Sequence, residues 1–290
     1  MKYVQVKVPG SCGELIQGFY GDGEALVSYA IDCYSTVSIE PSDQYALSMN
    51  HHNEKAMIAL RRACEYFGID HNHLKVRIES DIPVGKGMAS STADIVGVLA
   101  AVSILAKRPI DPRWIGKMAA SIEPTDSIMF PDWMLFDHLH GEVIEKFESF
   151  DDLKVIVLEM NDVVNTKSLR ESGAFMKSSK PNPSNALSIF REATAKRDLE
   201  LLGQAINLSS SENQVVLKKP FLSELTALAS EFGMIGINTS HSGTVLGVIY
   251  NDDGKPEEFL TEAQLRGYLE PYPRKTYHRI IRGGTRVDIK

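Results

Sequence analysis

The chain has 290 residues, of which 43% are hydrophobic and 24% charged, enough apolar side chains for a substantial core; this excludes a disordered chain and leaves one large domain or two ordinary ones. Thirty-eight acidic against 31 basic residues give a formal charge of −7, the wrong sign for a phosphate-neutralising surface, so no nucleic-acid partner is expected. The longest apolar run, residues 93–106, contains Asp94 and is too short to cross a bilayer, the N-terminus lacks the apolar stretch of a signal peptide, and Cys12, Cys33 and Cys64 are too few and too scattered for a disulfide framework or a four-ligand zinc site. A cytoplasmic protein with free thiols and no membrane partner is expected.

Period-two alternation predicts strands over residues 3–8, 36–39 and 75–79, the last with Val76 and Ile78 on one face and Lys75, Arg77 and Glu79 on the other. Apolar residues at helical spacing predict an amphipathic helix over 54–67, stopped by Gly68. A buried helix from residue 93, a second helix over 112–122 and a buried strand over 154–160 follow. Residues 171–184 collect Ser, Lys, Pro, Asn and Gly, a loop or hinge composition. Beyond it come helical patterns over 184–196, 198–214 and 220–232, then strands over 234–238 and 245–250 around a small polar turn. The expected organisation is α+β in two halves, residues 1–160 and 161–290, with no internal repeat.

The strongest local signal is Ile82-Pro83-Val84-Gly85-Lys86-Gly87-Met88-Ala89-Ser90-Ser91-Thr92-Ala93-Asp94, between the strand at 75–79 and the long helix. Strand, glycine turn and helix form anion-binding geometry, because the first helical N–H groups have no intrahelical partner and glycine lets the backbone approach a phosphate closely. Lys86 would add a cation, and the hydroxyls of Ser90, Ser91 and Thr92 could cap the helix or reach a phosphate-bound Mg²⁺. The glycines alone leave an ordinary capped helix equally open. The Walker A pattern cannot be laid over these residues, and Ser90 stands where the dinucleotide fingerprint needs its third Gly.

Pro83-x-Gly85-x-Gly87-x-x-Ser90-Ser91-x-Ala93 resembles the second motif of the GHMP kinases, which include galactokinase, homoserine kinase, mevalonate kinase and phosphomevalonate kinase; Ala89 stands where that family usually has Gly. The form Gly-Lys-Gly-Met-Ala-Ser-Ser-Thr-Ala-Asp resembles one branch, the L-threonine kinases of cobalamin synthesis. Pro9-Gly10-Ser11-Cys12-Gly13-Glu14-Leu15-Ile16-Gln17-Gly18 is similar to that branch's first motif, and Ser240-His241-Ser242-Gly243-Thr244 looks like the glycine-rich third. The resemblance implies a two-domain fold, with a first half like ribosomal protein S5 domain 2 and a ferredoxin-like second half. It also implies ATP on residues 83–92, Mg²⁺, and a small alcohol, L-threonine, as acceptor. Mg-ATP would sit on the first half and the second would close over the substrate.

Phosphoryl transfer needs a metal to neutralise the transferring group and can use a carboxylate that accepts the acceptor's proton. Glu123-Pro124-Thr125-Asp126 offers two acids, although solvated carboxylates at a helix end would read the same. The resemblance implies that Glu123 and Ser91 hold the metal and that Asp126 is the base; the best-known members separate these acids by about a dozen residues, whereas only two intervene here. Ser11, Glu14 and Gln17, on what reads as a glycine-bounded turn, are candidate substrate contacts or turn caps, as are Ser242, Gly243 and Thr244 of the third motif. Asp32 could take a substrate ammonium or be solvated at a strand end. His71-x-His73 and His138-x-His140 read as surface pairs rather than zinc ligands, and the absence of Gly-x-Ser-x-Gly disfavours a hydrolase. Homoserine kinase, another small-alcohol GHMP kinase and a non-catalytic nucleotide- or metabolite-binding relative stay open as alternatives, and the sequence leaves a homodimer open.

Overall fold

The computed structural model describes residues 3–20, 23–43, 46–49, 54–161, 184–215, 217–241 and 243–289. The chain begins with two long antiparallel strands, β1 (Val4–Tyr20) and β2 (Gly23–Pro41), far longer than the predicted 3–8 and 36–39. The first motif therefore lies inside a strand and not on a turn. Register shifts at Pro9/Gly10, Ser11/Glu14 and Glu14/Ile16 absorb its irregularity, and Gly13 adopts a φ of +63° that other residues rarely accept. Such bulges break the simple alternation on which the sequence reading depended.

After the short strand β3 (Ala46–Met49), helix α1 (Glu54–Phe67) buries Ala56, Ala59, Leu60, Ala63 and Cys64 and stops at Gly68, as its spacing predicts. Strand β4 (Leu74–Ser80) points Leu74, Val76 and Ile78 inward and runs into the glycine turn. Helix α2 (Ser90–Leu105) passes through the interior: every residue except Ser91 and Ile104 is buried, and the carboxylate of Asp94 accepts a 2.5 Å hydrogen bond from Ser35. Helix α3 (Pro112–Ala120) starts from an Asp111 cap with Pro in the first turn. The hairpin β5 (Trp133–Asp137) and β6 (Glu142–Phe147) precedes β7 (Lys154–Glu159).

The described chain resumes with α4 (Ser184–Lys196) and α5 (Leu199–Asn213), then α6 (Leu222–Glu231), β8 (Gly236–Thr239), β9 (Val245–Tyr250), α7 (Pro256–Leu265), β10 (Arg274–Ile281) and β11 (Arg286–Ile289). The loop expected over 171–184 lies outside the described residues, apart from Ser184 at the start of α4. Strand pairing runs β11-β1-β8-β9-β7-β10-β2-β4-β3, and a direct β1–β2 ladder joins the two long strands as well.

Two hydrophobic cores flank this sheet. On β7, Val155 and Val157 enter the core shared with α1, α2, α4 and α5, while Ile156 and Leu158 enter the one built by α6 and α7. Strand β9 divides in the same way, Val245 and Ile249 against Leu246 and Val248. Burial on both faces explains why these two strands are continuous apolar runs rather than alternating ones. The sheet does not break at residue 160, since β7 pairs with β9 and β10, which lie beyond it. Among the described residues no helix is long and apolar enough to cross a membrane.

Candidate active site where three glycine segments meet

From β4 to α2 the turn alternates in hand: Gly85, Gly87 and Ala89 take φ values of +73°, +81° and +60°, with Lys86 and Met88 between them outside the positive region. Such alternation turns successive N–H groups toward one side and forms an anion-binding concavity. Ala89 caps α2 without a side-chain bond, so the first helical N–H groups are not claimed by a capping side chain. Beside them the buried hydroxyls of Ser90 and Ser91 have no hydrogen-bond partner among the described residues.

The carbonyl side of the turn is held by the other two motifs. Lys86 O accepts from Thr244 N–H at 2.9 Å, Met88 O from Ser11 N–H at 3.1 Å and Gly87 O from Gly13 N–H at 3.3 Å. A β carbon on Gly243 would stand 2.2 Å from Lys86 O, and one on Gly10 would stand 2.8 Å from Met88 O. Glycine is required at these places because backbone meets backbone. The expectation that Lys86 supplies a cation to the phosphates is corrected: its buried ammonium pairs with Glu159 at 3.2 Å and donates to Met160 O at 2.7 Å. A buried ammonium has to find partners, and the nearest lie beneath the turn. Met88 is likewise buried in the core, whereas Val84 is exposed.

Below the turn two buried acids meet. Asp126 accepts hydrogen bonds from Ser28 Oγ at 3.1 Å and Ser11 Oγ at 3.4 Å, and is bonded to the Glu14 carboxyl. Burial pushes Asp126 up to about 6, with the hydroxyls of Ser28 and Ser11 opposing the rise. Glu14 is driven well above the ordinary carboxylate range, first by burial and then by the charge of Asp126. Glu14 also accepts from the backbone N–H of His241, and Gln17 lies 3.0 Å from the His241 ring while donating to Thr239 O and Oγ1. Ser11, Glu14 and Gln17 thus gather around Asp126 and the third motif. Burial pushes the Lys219 ammonium down to about 8, with Glu14 opposing the fall, and it donates to Gly243 O.

Glu123 follows the end of α3, its N–H bonded to Ala119 O at 3.0 Å. One carboxylate oxygen pairs with Lys55, and the other is buried without a hydrogen-bond partner. Thr125 and Thr92 hydroxyls, 3.3 Å apart, tie this segment to the start of α2. Thr244 Oγ1 is a further buried oxygen without a partner. Asp32 has a different setting, engaged by the His278 ring at 3.2 Å and Arg279 N–H at 2.9 Å on β10. Ser242 lies outside the described residues. Cys12 is fully buried and its thiol is pushed up to about 12 by burial, which removes it as a nucleophile.

Comparison with known proteins settles the family. The model described as the GHMP kinases N terminal domain matches residues 54–130, and that described as GHMP kinases C terminal matches residues 190–269. An L-threonine kinase of Salmonella typhimurium is 31% identical over 97% of this chain and 94% of its own. The chain belongs to the GHMP kinases. A homoserine kinase of Petrotoga mobilis is more distant, 24% identical over 86% of this chain and 85% of its own. Among solved structures, the homoserine kinase of Cytophaga hutchinsonii superposes with a TM-score of 0.73 over 99% of this chain and 97% of its own at 14% identity, which shows the two-domain GHMP kinase fold.

Sequence reasoning missed two polar residues of this GHMP kinase site. Ser28 reaches Asp126 because it stands opposite Glu14 in the β1–β2 ladder, and only the register of that hairpin could have indicated it. Lys219 sits in an ordinary Lys-Lys-Pro stretch that carries no signal at all.

Proposed function

We propose that the chain is an ATP-dependent kinase that phosphorylates the side-chain hydroxyl of L-threonine to give O-phospho-L-threonine and ADP. The observation that carries this reading is that four of the six buried side-chain oxygens without partners among the described residues, on Ser90, Ser91, Glu123 and Thr244, belong to the start of α2 and the segments that meet it, where the turn alternates in hand. Buried polar atoms are normally satisfied, and unpartnered oxygens beside a helix N-terminus support a site for a metal-bound triphosphate that would satisfy them. The choice of threonine rests on the L-threonine kinase likeness spanning nearly all of both chains.

The N–H groups from Gly85 to Thr92 bind the phosphates, with Gly87 keeping the backbone close. Hard oxygen donors suit Mg²⁺, and the open carboxylate oxygen of Glu123 and the hydroxyl of Ser91 are of that kind, so these two residues would hold it. When bound, the metal neutralises charge on the transferring phosphoryl group. The acceptor hydroxyl lies beside Asp126, its oxygen attacks the γ-phosphorus as the bond to the ADP oxygen breaks, and its proton passes to the carboxylate. An acid raised to about 6 suits this role, since a base works best with a pKa near the working pH. The two halves divide near residue 160 in this reading, supported by family matches on either side of it, while β7 ties them together.

The test is kcat/KM with ATP for L-threonine, L-serine and L-homoserine. Threonine should rank first; serine should fall by the worth of a methyl pocket, about 1–3 kcal/mol, and homoserine by more because its longer arm misplaces the nucleophile. Homoserine above threonine would overturn the substrate, and no ATP turnover with any alcohol would overturn the kinase.

A further inference from the structure

Three potential metal ligands from separate parts of the chain converge on one side of the acid pair. They are Glu24 on β2, His138 just after β5 and His241 just after β8, with ligand atoms all within 4.8 Å of one another. His138 Nε2 stands 3.2 Å from Glu24 Oε2 and His241 Nε2 stands 3.8 Å from the same oxygen. The two imidazole rings are perpendicular with centroids 5.3 Å apart. Ligands held about 2.0–2.2 Å from a tetrahedral ion are spaced about 3.3–3.6 Å from each other, so the two spacings to Glu24 Oε2 lie within a few tenths of an ångström of that geometry, and the third spacing is within 4.8 Å. His138 is 4% and Glu24 7% exposed, which corrects the reading of His138 as half of a surface pair; its neighbour His140 is exposed.

A second observation fixes the state of His241. Gln17 donates its amide N–H groups to Thr239 O and Oγ1 at 3.1 and 3.0 Å, so the amide can point only its oxygen at His241 Nδ1, 3.0 Å away. Nδ1 therefore carries a proton, and in the neutral ring Nε2 is the nitrogen that offers a lone pair, on the side of Glu24 and His138. A ligating histidine held in this way by an acceptor on its other nitrogen is the usual outer support of a metal site. We propose that Glu24, His138 and His241 bind a borderline divalent transition-metal ion, Zn²⁺ by donor chemistry, at a site distinct from the Mg²⁺ of phosphoryl transfer. Two imidazoles and one carboxylate suit Zn²⁺, whereas Mg²⁺ prefers oxygen ligands throughout. Since the backbone N–H of His241 holds Glu14, the ion would fix the third motif against the acid pair.

The test uses the full chain, freed of metal by chelation and without ATP or Mg²⁺, titrated with Zn²⁺ by calorimetry and with Co²⁺ by visible absorption. One Zn²⁺ per chain and tetrahedral Co²⁺ bands are expected. Glu24→Gln and His138→Asn should each weaken binding at least about 100-fold, and Gln17→Ala about 10–100-fold, the range for an outer support. The double variant His71→Asn, His73→Asn, at a half-buried and an exposed histidine outside the cluster, should bind as before. Failure of the folded wild type to take up stoichiometric metal, or uptake unchanged in both ligand variants, would overturn the site. Should the buried variants not fold, X-ray absorption on the zinc-loaded wild type decides: two imidazole ligands are expected, and a shell without imidazole refutes the proposal.

Discussion

Replacing Gly87 by Ala tests the three-segment packing, and Gly68→Ala supplies the control. Both glycines are left-handed, with φ of +81° and +68°. A β carbon at Gly68 meets nothing within 4 Å, whereas at Gly87 it would lie 2.7 Å from Ser240 Cβ and 2.8 Å from Gly243 Cα. Each substitution costs about 1–2 kcal/mol for the left-handed conformation, and each gains similarly from a stiffer unfolded chain, so the difference between them isolates the contacts. Those contacts are roughly 1 Å shorter than the usual carbon–carbon separation of about 3.5–4.0 Å, and overpacking of this kind costs about 1–3 kcal/mol. The penalty emerges as excess destabilisation if the turn holds its shape. If the turn yields, its N–H groups leave the phosphates and ATP affinity falls by about 5- to 150-fold for the same energy. Urea unfolding and calorimetric ATP titration on both variants measure the two parts. Equal stability losses with unchanged ATP affinity in Gly87→Ala would refute the reasoning.

Further tests fall on the acids, the metal and the helix cap. Asp126→Asn should lower kcat by about 10²–10⁴, and wild-type activity should rise with pH through about 6 as the buried carboxyl ionises; a variant that keeps this limb would remove Asp126 as the base. A carboxyl raised on folding contributes stability below its unfolded pKa that is lost as pH rises through about 6, so Asp126→Asn should exceed wild-type stability at pH 8 by on the order of 2–3 kcal/mol in urea, and equal stability would contradict the buried charge. Ser91→Ala and Glu123→Gln should each raise the Mg²⁺ concentration for half-maximal rate, whereas an unchanged requirement in both would free them of the metal. Ala89→Gly removes the left-handed cost of about 1–2 kcal/mol and adds about 0.5–1 kcal/mol of backbone entropy, so a net gain of up to about 1.5 kcal/mol is expected, with thermal unfolding as the readout and a loss as the contrary result.

The legible parts of the sequence were those whose physics is local. Helix α1 followed from spacing and Gly68, and the turn from 83 to 92 followed from glycines before a helix start, because conformation there is dictated by neighbours along the chain. Strands β1 and β2 were underestimated since their bulges break alternation, and β10 and β11 escaped because most of their residues are exposed, Tyr277, Val287 and Ile289 among them, so no buried apolar face marks them. The electrostatics were not legible. Nothing near Lys86 in sequence shows that Glu159 will claim its ammonium, and nothing near Asp126 shows that β1 will deliver Glu14.

That dependence on distant partners also accounts for the chemistry. Asp126 sits three residues past Glu123, too close along the chain for the usual division of labour, yet their environments separate them: one oxygen of Glu123 is paired with half-exposed Lys55, while Asp126 is buried against a second acid. Two carboxylates held in different surroundings can serve one as ligand and one as base. The hydrogen bond from the Glu14 carboxyl, with those of the Ser28 and Ser11 hydroxyls, holds Asp126 down against the effect of burial. Removing that proton donor by Glu14→Ala would leave Asp126 buried with only two hydroxyls. Its pKa should then rise, and the activity limb should move to higher pH; a limb that stays in place would show that Glu14 does not tune the base.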